Sequence, residues 1–267
     1  MAFVKVKEGA LEYLRAEELE ASHCFTTRNG GVSKGHLSSM NLGTRRQDEP
    51  ENVLKNYEIL GKSLGFDPRK AVLTRQTHTD IVRVVGQTEW GAGLYAPDLA
   101  ECDGLITNTP GTALVIFTAD CTPLLFHDPV TGAVGAAHAG WRGTAQAIGA
   151  RVVEAMVNNF GSKPENIRAA IGPNVGFCHF ETDADVPEAM IAAFGDEVNE
   201  YIEKKGEKYY LDLKAINALV LRRAGVKHIE ISDDCTMCEP DRFWSHRVTK
   251  GDRGSQGAII VCGEGCK

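Results

Sequence analysis

The chain has 267 residues, 43% hydrophobic and 24% charged, with ten prolines, a composition that supports a sizeable folded core and excludes disordered or fibrous structure. Twenty-nine Lys and Arg against 36 Asp and Glu leave a net charge of −7, which argues against general binding to nucleic acid or anionic membranes. No apolar run approaches the roughly 18 residues of a membrane span, and Met1-Ala2-Phe3-Val4-Lys5-Val6-Lys7 carries no apolar signal region, so a cytoplasmic location is expected.

In chain order, Pro50-Glu51-Asn52 opens a helix whose apolar Val53, Leu54, Tyr57, Leu60 and Leu64 fall at helical spacing, and Gly65 supplies its stop. Strands are expected at 71–75, 81–85, 112–118, 123–127 and 133–138. Asp128-Pro129-Val130-Thr131-Gly132 reads as a tight turn, which makes 123–138 a β-hairpin. Thr144 is the expected N-cap of a helix running to Phe160 and ended by Gly161. Further helices are expected near 185–194 and 212–224, the latter opened by Asp212 and closed by Gly225, with strands at 167–171, 227–231 and 256–262. A hairpin excludes a purely parallel sheet, and the irregular helix spacing excludes a (β/α) barrel. One domain over residues 1–267, built of mixed sheets flanked by helices, is the expected organisation. The motifs GxGxxG, GxxxxGK[ST] and GxSxG are all absent, so dinucleotide-binding, P-loop and serine-hydrolase readings lack support.

Eight cysteines in a chain of this size do not imply a disulfide scaffold. Cys24, Cys102, Cys178, Cys262 and Cys266 have no partner at metal spacing and are expected to be buried or tolerated thiols. Cys235-Thr236-Met237-Cys238 is a single CxxC motif, for which a structural zinc site needs distant ligands such as Cys262 or Cys266. Cys235 and Cys238 are therefore expected to be reduced and metal-free.

Three stretches place ligands or nucleophiles at strand ends: Arg75-Gln76-Thr77-His78-Thr79-Asp80, Thr118-Ala119-Asp120-Cys121-Thr122-Pro123, and Ala136-Ala137-His138-Ala139-Gly140-Trp141-Arg142-Gly143-Thr144. The hairpin register sets Cys121 beside His138, and His78 from the preceding region completes a His, Cys, His set. Three such ligands leave a fourth tetrahedral position open, as catalytic zinc sites do. Satisfied core histidines with a small buried Cys, or a Cys–His thiol pair, are the other readings of these residues. Arg142, where a strand meets a helix start beside Gly140 and Gly143, suggests either an anion site or a tight turn with a solvated Arg.

The chain resembles the laccase-domain, or polyphenol oxidase, family, whose members are viewed as purine nucleoside phosphorylases. The resemblance runs through Ser22-His23-Cys24-Phe25-Thr26-Thr27-Arg28-Asn29-Gly30-Gly31-Val32-Ser33, Met40-Asn41-Leu42-Gly43 and Arg75-Gln76-Thr77-His78. It continues in Cys102-Asp103-Gly104-Leu105-Ile106-Thr107, Thr118-Ala119-Asp120-Cys121, the stretch His138 to Thr144, Ile171-Gly172-Pro173 and Phe243-Trp244-Ser245-His246-Arg247. It implies an α+β fold with a central β-sandwich and outer helices, zinc on His78, Cys121 and His138, and phosphorolysis of adenosine, inosine and methylthioadenosine with adenosine deamination as a second activity. Nucleoside and phosphate are the expected partners. Asn41 is the expected sugar or base contact, Arg142 with the helix N-terminus the phosphate contact, and Asp103 or Asp120 the acid for the departing purine. Two positions depart from the family pattern: Tyr57 follows Asn56 where Arg is usual, and His246 follows Ser245 where Tyr is common. Arg45 or Arg46 is the candidate replacement for the missing Arg.

The family's older name implies a multicopper laccase. Two His and one Cys do suit a blue-copper centre, but a laccase needs many further histidines in His-x-His pairs, and this chain has eight His and no such pair. Copper at the His, Cys, His set remains chemically reasonable by the Irving–Williams order. A copper polyphenol oxidase, a metal-free Cys121–His138 thiol hydrolase and a non-catalytic binding protein are the rival readings.

Overall fold

The computed structural model describes residues 3–263. Its elements in chain order begin with β1 (Val4–Glu8), β2 (Leu11–Arg15), β3 (His23–Thr26), α1 (Pro50–Leu64), β4 (Ala71–Leu73), β5 (Val82–Val84), β6 (Gly104–Thr107) and β7 (Ala113–Thr118). The middle of the chain forms β8 (Thr122–His127), β9 (Val134–Ala139), α2 (Trp141–Ala145), α3 (Ile148–Phe160) and β10 (Arg168–Ile171). There follow β11 (Glu181–Thr182), α4 (Asp185–Phe194), β12 (Ile202–Lys205), β13 (Lys208–Leu211), α5 (Leu213–Arg223), β14 (His228–Ile231), α6 (His246–Thr249) and β15 (Gln256–Val261).

Side-chain alternation explains the layering. In β7, Leu114 and Ile116 join Phe25 and Ile260 in one apolar cluster that also holds Leu105, Leu125, Val134 and Ala136. The alternate residues Ala113 and Val115 pack instead with Val53, Tyr57, Leu60 and Leu64 of α1. Each face of the strand is thus buried, and each large aliphatic side chain removed from water contributes about 1.5–3 kcal/mol. The first sheet has the order β1-β2-β3-β15-β7-β4 and the second β14-β10-β8-β9-β6-β5. Both are mixed, with β4 and β7 parallel and β15 and β7 antiparallel in the first. The outer face of the second sheet presents Leu124, Phe126, Ala137 and Ala139 to Ile148, Val152 and Met156 of α3 and to Ala218 and Leu221 of α5. The result is the expected α+β single domain, a β-sandwich of mixed sheets between helices.

The 123–138 hairpin forms with Pro123 opposite His138, and Gly132 closes its turn at φ 72 by donating its amide to Asp128 O at 2.7 Å. Gly65 and Gly161 cap α1 and α3 in the left-handed conformation, and the Asp212 side chain accepts from Ala215 N. Three expectations need correction. The helix from Thr144 to Phe160 is two helices, α2 and α3, separated by Ala147 at φ 58. Thr144 caps neither of them, since its hydroxyl accepts from Asn217 Nδ2 at 3.0 Å. The strands expected at 71–75 and 81–85 are shorter, 71–73 and 82–84, because the chain leaves the sheets to build the loop that carries His78. A third sheet, β11-β13-β12, is new; its edge strand Ile-Glu-Lys-Lys is too polar to show a buried face.

Candidate metal centre and adjoining cleft

Asp103 organises the centre. It sits just before β6, fully buried, and its carboxylate accepts from Thr77 N and His78 N at 3.1 Å each, Thr79 N at 2.8 Å and Thr79 Oγ1 at 3.0 Å. It thereby folds the 77–79 segment into a turn in which His78 takes φ 65. The same carboxylate accepts from His138 Nδ1 at 2.7 Å. That bond fixes the His138 tautomer and leaves Nε2 for an outside partner, the usual arrangement behind a metal-binding imidazole. Burial works against the charged form of Asp103, but the His138 contact and the Thr79 and Thr77 amides outweigh it and hold the carboxyl near 2.

Cys121 follows Asp120, whose φ of 86 turns the chain sharply into β8. Asp120 is tied down on both sides: Thr236 Oγ1 donates to Oδ1 at 2.6 Å and Arg247 N to Oδ2 at 2.8 Å. Val175 N donates to its carbonyl at 2.9 Å. The outcome is a convergence of one donor atom each from His78, Cys121 and His138, all within 4.8 Å of one another. His78 Nε2 lies 4.0 Å from Cys121 Sγ, and the two imidazole centroids are 4.9 Å apart. Burial pushes the Cys121 thiol up, yet His138 and His78 bring it down to about 6. Conversely, burial pushes His138 down, and Cys121 with Asp103 lifts it to about 9. A thiolate, two imidazoles and a carboxylate behind one imidazole fit a borderline-soft divalent cation such as zinc. Gly140 makes the convergence possible, because a Cβ there would come within 2.8 Å of His78 Cδ2 and 3.3 Å of Cys121 Sγ.

The centre opens into a cleft of about 330 Å³, lined among others by Gly43, Arg45, Arg46, Gln76, Asp98, Arg253 and Ser255, a volume at the lower end of small-molecule sites. Two guanidinium groups share its wall. Arg46 Nε donates to Ser255 Oγ at 3.4 Å and Arg253 Nη1 to the same oxygen at 3.1 Å. Burial and the neighbouring Arg46 depress Arg253 to about 10, and its buried Nε has no hydrogen-bond partner among the described residues. Neither Arg makes an ion pair among those residues, whereas Arg45 pairs with Asp98. Two adjacent cations held by a hydroxyl, with a donor unused, form a seat for an anion such as phosphate.

Several expected roles change. Asn41 is fully buried and does not line the cleft; its Oδ1 accepts from Gly43 N and Ser255 N at 3.0 Å each, and its Nδ2 donates to Asp48 at 2.8 Å. It braces two cleft residues from beneath the cleft surface. Asp103 and Asp120 are absent from the lining, and their carboxylates accept the bonds described above. Arg142 lies in the five-residue α2 with its guanidinium stacked 4.2 Å over Trp141, and it too is absent from the lining. Arg46 does line the cleft. Tyr57 is buried in the core, where its hydroxyl donates to Leu42 O at 3.2 Å. Arg253 was not anticipated; its one sequence signal is its place between Asp252 and Gly254 in a Gly- and Ser-rich tract after the Phe243 to Arg247 motif.

Residues 22–263 match the family described as multi-copper polyphenol oxidoreductase laccase. The chain belongs to that family. A purine nucleoside phosphorylase from Deinococcus radiodurans is 41% identical over 250 residues, 94% of this chain and 92% of that protein. Purine nucleoside phosphorylase YlmD from Bacillus subtilis is 37% identical over 240 residues, 88% of this chain and 86% of that one. The crystal structure of YlmD from Geobacillus stearothermophilus superposes with a TM-score of 0.92 at 34% identity, covering 98% of this chain and all of that one. No helix among the described residues is long and apolar enough to cross a membrane.

Proposed function

We propose that this laccase-family chain is a zinc-dependent purine nucleoside phosphorylase acting on adenosine, inosine and methylthioadenosine, and that it deaminates adenosine at the same centre. The observation that carries the reading is the anion seat of Arg46, Arg253 and Ser255 in the same cleft as His78, Cys121 and His138. The names of the relatives support it.

In phosphorolysis an oxygen of hydrogen phosphate attacks C1′ of the ribose, the C1′–N9 bond breaks, and its electron pair leaves with the purine, which takes up the proton the hydrogen phosphate gives up. Arg46 and Arg253 hold the phosphate dianion and keep it from repelling the electron-rich sugar oxygens, while Ser255 spaces the two guanidiniums. Asp103 keeps His138 Nε2 aimed into the centre, and Gln76 stiffens the wall by donating to Phe117 O and accepting from Phe117 N, at 2.8 and 2.7 Å. His78, Cys121 and His138 would hold the zinc, which would supply Lewis-acid charge stabilisation there. The metal site requires Cys121 as a thiolate, which suits a reducing compartment such as the cytoplasm.

The laccase reading fails on ligand supply. Of the eight histidines, the six outside the centre are scattered, and among the described residues only one other cluster of metal-ligating side chains exists, with His179 its sole imidazole. A trinuclear copper site has nothing to bind it. The thiol-hydrolase reading draws on the lowered Cys121 thiol, and metal content separates it: about one equivalent of zinc lost on Cys121→Ala argues against a free nucleophile.

Purified protein given adenosine with and without phosphate tests the proposal. Adenine and ribose 1-phosphate formed only with phosphate, together with inosine formed in either case, support it. Phosphate-independent adenine release, or no turnover of any purine nucleoside, overturns it.

A further inference from the structure

On the other side of the Asp120 turn, two loops bring together four side chains that the proposed reaction does not use. Cys178 and His179 lie between β10 and β11, and Cys235 and Cys238 between β14 and α6. Sequence spacing offered distant ligands such as Cys262 or Cys266 for the CxxC pair and left it expected to be metal-free. Cys262 is instead buried in the sandwich core with its thiol on Gly132 O, and Cys266 lies outside the described residues. The loops meet through a parallel bridge between Asn174 and Cys235, and that bridge delivers Cys178 and His179 to the motif.

Three of the donor spacings are those of a tetrahedron around one ion, and the His179–Cys178 pair lies closer. Zinc bonds of about 2.3 Å to sulfur and 2.0–2.1 Å to nitrogen place sulfur pairs about 3.8 Å apart and sulfur–nitrogen pairs about 3.6 Å apart. Here Cys178 Sγ is 3.7 Å from Cys238 Sγ, and His179 Nδ1 is 3.7 Å from Cys235 Sγ, 3.5 Å from Cys238 Sγ and 3.1 Å from Cys178 Sγ. All four donors lie within 4.8 Å of one another. Gly176 N donates to Cys235 Sγ at 3.2 Å, the kind of amide contact that supports a ligating thiolate. A Cβ at Gly176 would sit 3.2 Å from Cys235 Cβ and in contact with both Cys178 Sγ and Cys235 Sγ, so the loop passes directly against the cluster.

We propose that Cys178, His179, Cys235 and Cys238 form a second, structural metal site that takes one zinc ion or another thiophilic divalent cation. Four protein ligands close the coordination sphere, so the site has no position for substrate and serves the fold, in contrast to the three-ligand set in the cleft. What it fastens is the support of the Asp120 turn. Thr236, inside the CxxC motif, donates to Asp120 Oδ1, and Val175, just before Cys178, donates to the Asp120 carbonyl. A metal at this site locks both loops on the residue that precedes Cys121.

The test is zinc content of the full chain, purified and dialysed under reductant so that Cys178 and Cys238 stay reduced. Wild type is expected to hold one equivalent that is lost in Cys238→Ser and in Cys178→Ser and retained in Cys121→Ala. Cys178 and Cys238 are exposed, so both Ser variants should fold, which circular dichroism checks. Cobalt(II) reconstitution of Cys121→Ala adds a second readout, with strong thiolate-to-cobalt charge-transfer absorption expected and its loss expected in Cys121→Ala/Cys238→Ser. Failure of the cleft reading removes the equivalent that depends on Cys121 and leaves this one. Folded Ser variants with unchanged zinc and unchanged cobalt spectra overturn the proposal.

Discussion

Gly140→Ala separates metal binding from folding. Gly140 has φ −64 and ψ 170, extended backbone open to alanine, so the substitution adds no strain and, by restricting the unfolded chain, stabilises by about 0.4–1 kcal/mol where space allows. Space is lacking chiefly toward His78, since Cys121 Sγ at 3.3 Å is already close to ordinary contact. The new Cβ meets His78 Cδ2 at 2.8 Å, and reaching the 3.4 Å of ordinary contact moves the ring by about 0.6 Å. His78 is exposed, so it swings outward with little cost to the fold. A ligand displaced by that much exceeds the roughly 0.2 Å tolerance of a metal bond, and perturbations that misdirect a ligand cost about 10–100-fold in affinity, or roughly 1.4–2.7 kcal/mol. Competition of the protein against a chromophoric chelator, with thermal unfolding of the metal-free form, reads both quantities. Weakened zinc binding with an unfolding midpoint equal to or above wild type is expected. Wild-type affinity in the folded variant would refute the claim that His78 is a ligand.

Four further outcomes follow from the same geometry. Arg253→Ala and Arg46→Ala should each raise the phosphate KM by about one to two powers of ten, the effect of losing a charge-assisted contact of about 1.5–3 kcal/mol, with zinc retained; steady-state rates against phosphate concentration check this. Arg142→Ala, whose side chain stacks on Trp141 outside the cleft, should change that KM less than twofold in the same assay. Asp103→Asn should weaken zinc by about 10–100-fold, because the amide cannot accept from the Thr77, His78 and Thr79 donors and still orient His138; metal analysis during dialysis reads it. His23 is fully buried, accepts from Ala16 N at 2.9 Å, and is held by burial at about 4 against its ordinary 6.5. Its contribution to stability is therefore complete above pH 6.5 and lost as pH falls toward 4, by on the order of 3 kcal/mol, and denaturant melts at pH 7 and 5 should show the fall.

How far the sequence could be read depends on whether a residue's role is local. The hairpin, the Gly65 and Gly161 stops and the Asp212 cap are written in nearest neighbours, and the hairpin register alone brings Cys121 beside His138. Strands β1 to β3 escaped notice because β1 is mostly exposed and β3 is short, so neither shows a clean alternation. Longer-range placements were hidden. Asn41, Asp103 and Asp120 look like substrate or acid–base residues as isolated letters, yet each is tied to a segment distant in sequence: Asn41 to Ser255 N, Asp103 to the 77–79 amides, and Asp120 to Thr236 Oγ1 and Arg247 N. Arg253 gained its role only when β15 paired with β7 and carried the preceding loop to the cleft. Cys178 and His179 were passed over for the CxxC motif because the Asn174–Cys235 bridge that joins their loops leaves no periodic trace.

We propose that the His78, Cys121, His138 metal centre and the arginine anion seat act together on a purine nucleoside and phosphate. Hypoxanthine release from inosine, followed as phosphate is raised in zinc-loaded wild type and Cys121→Ala, tests it most directly. Release is expected to saturate with phosphate in wild type, to yield ribose 1-phosphate in equal amount, and to disappear in the folded variant. Release that ignores phosphate, or that survives in Cys121→Ala, would contradict it.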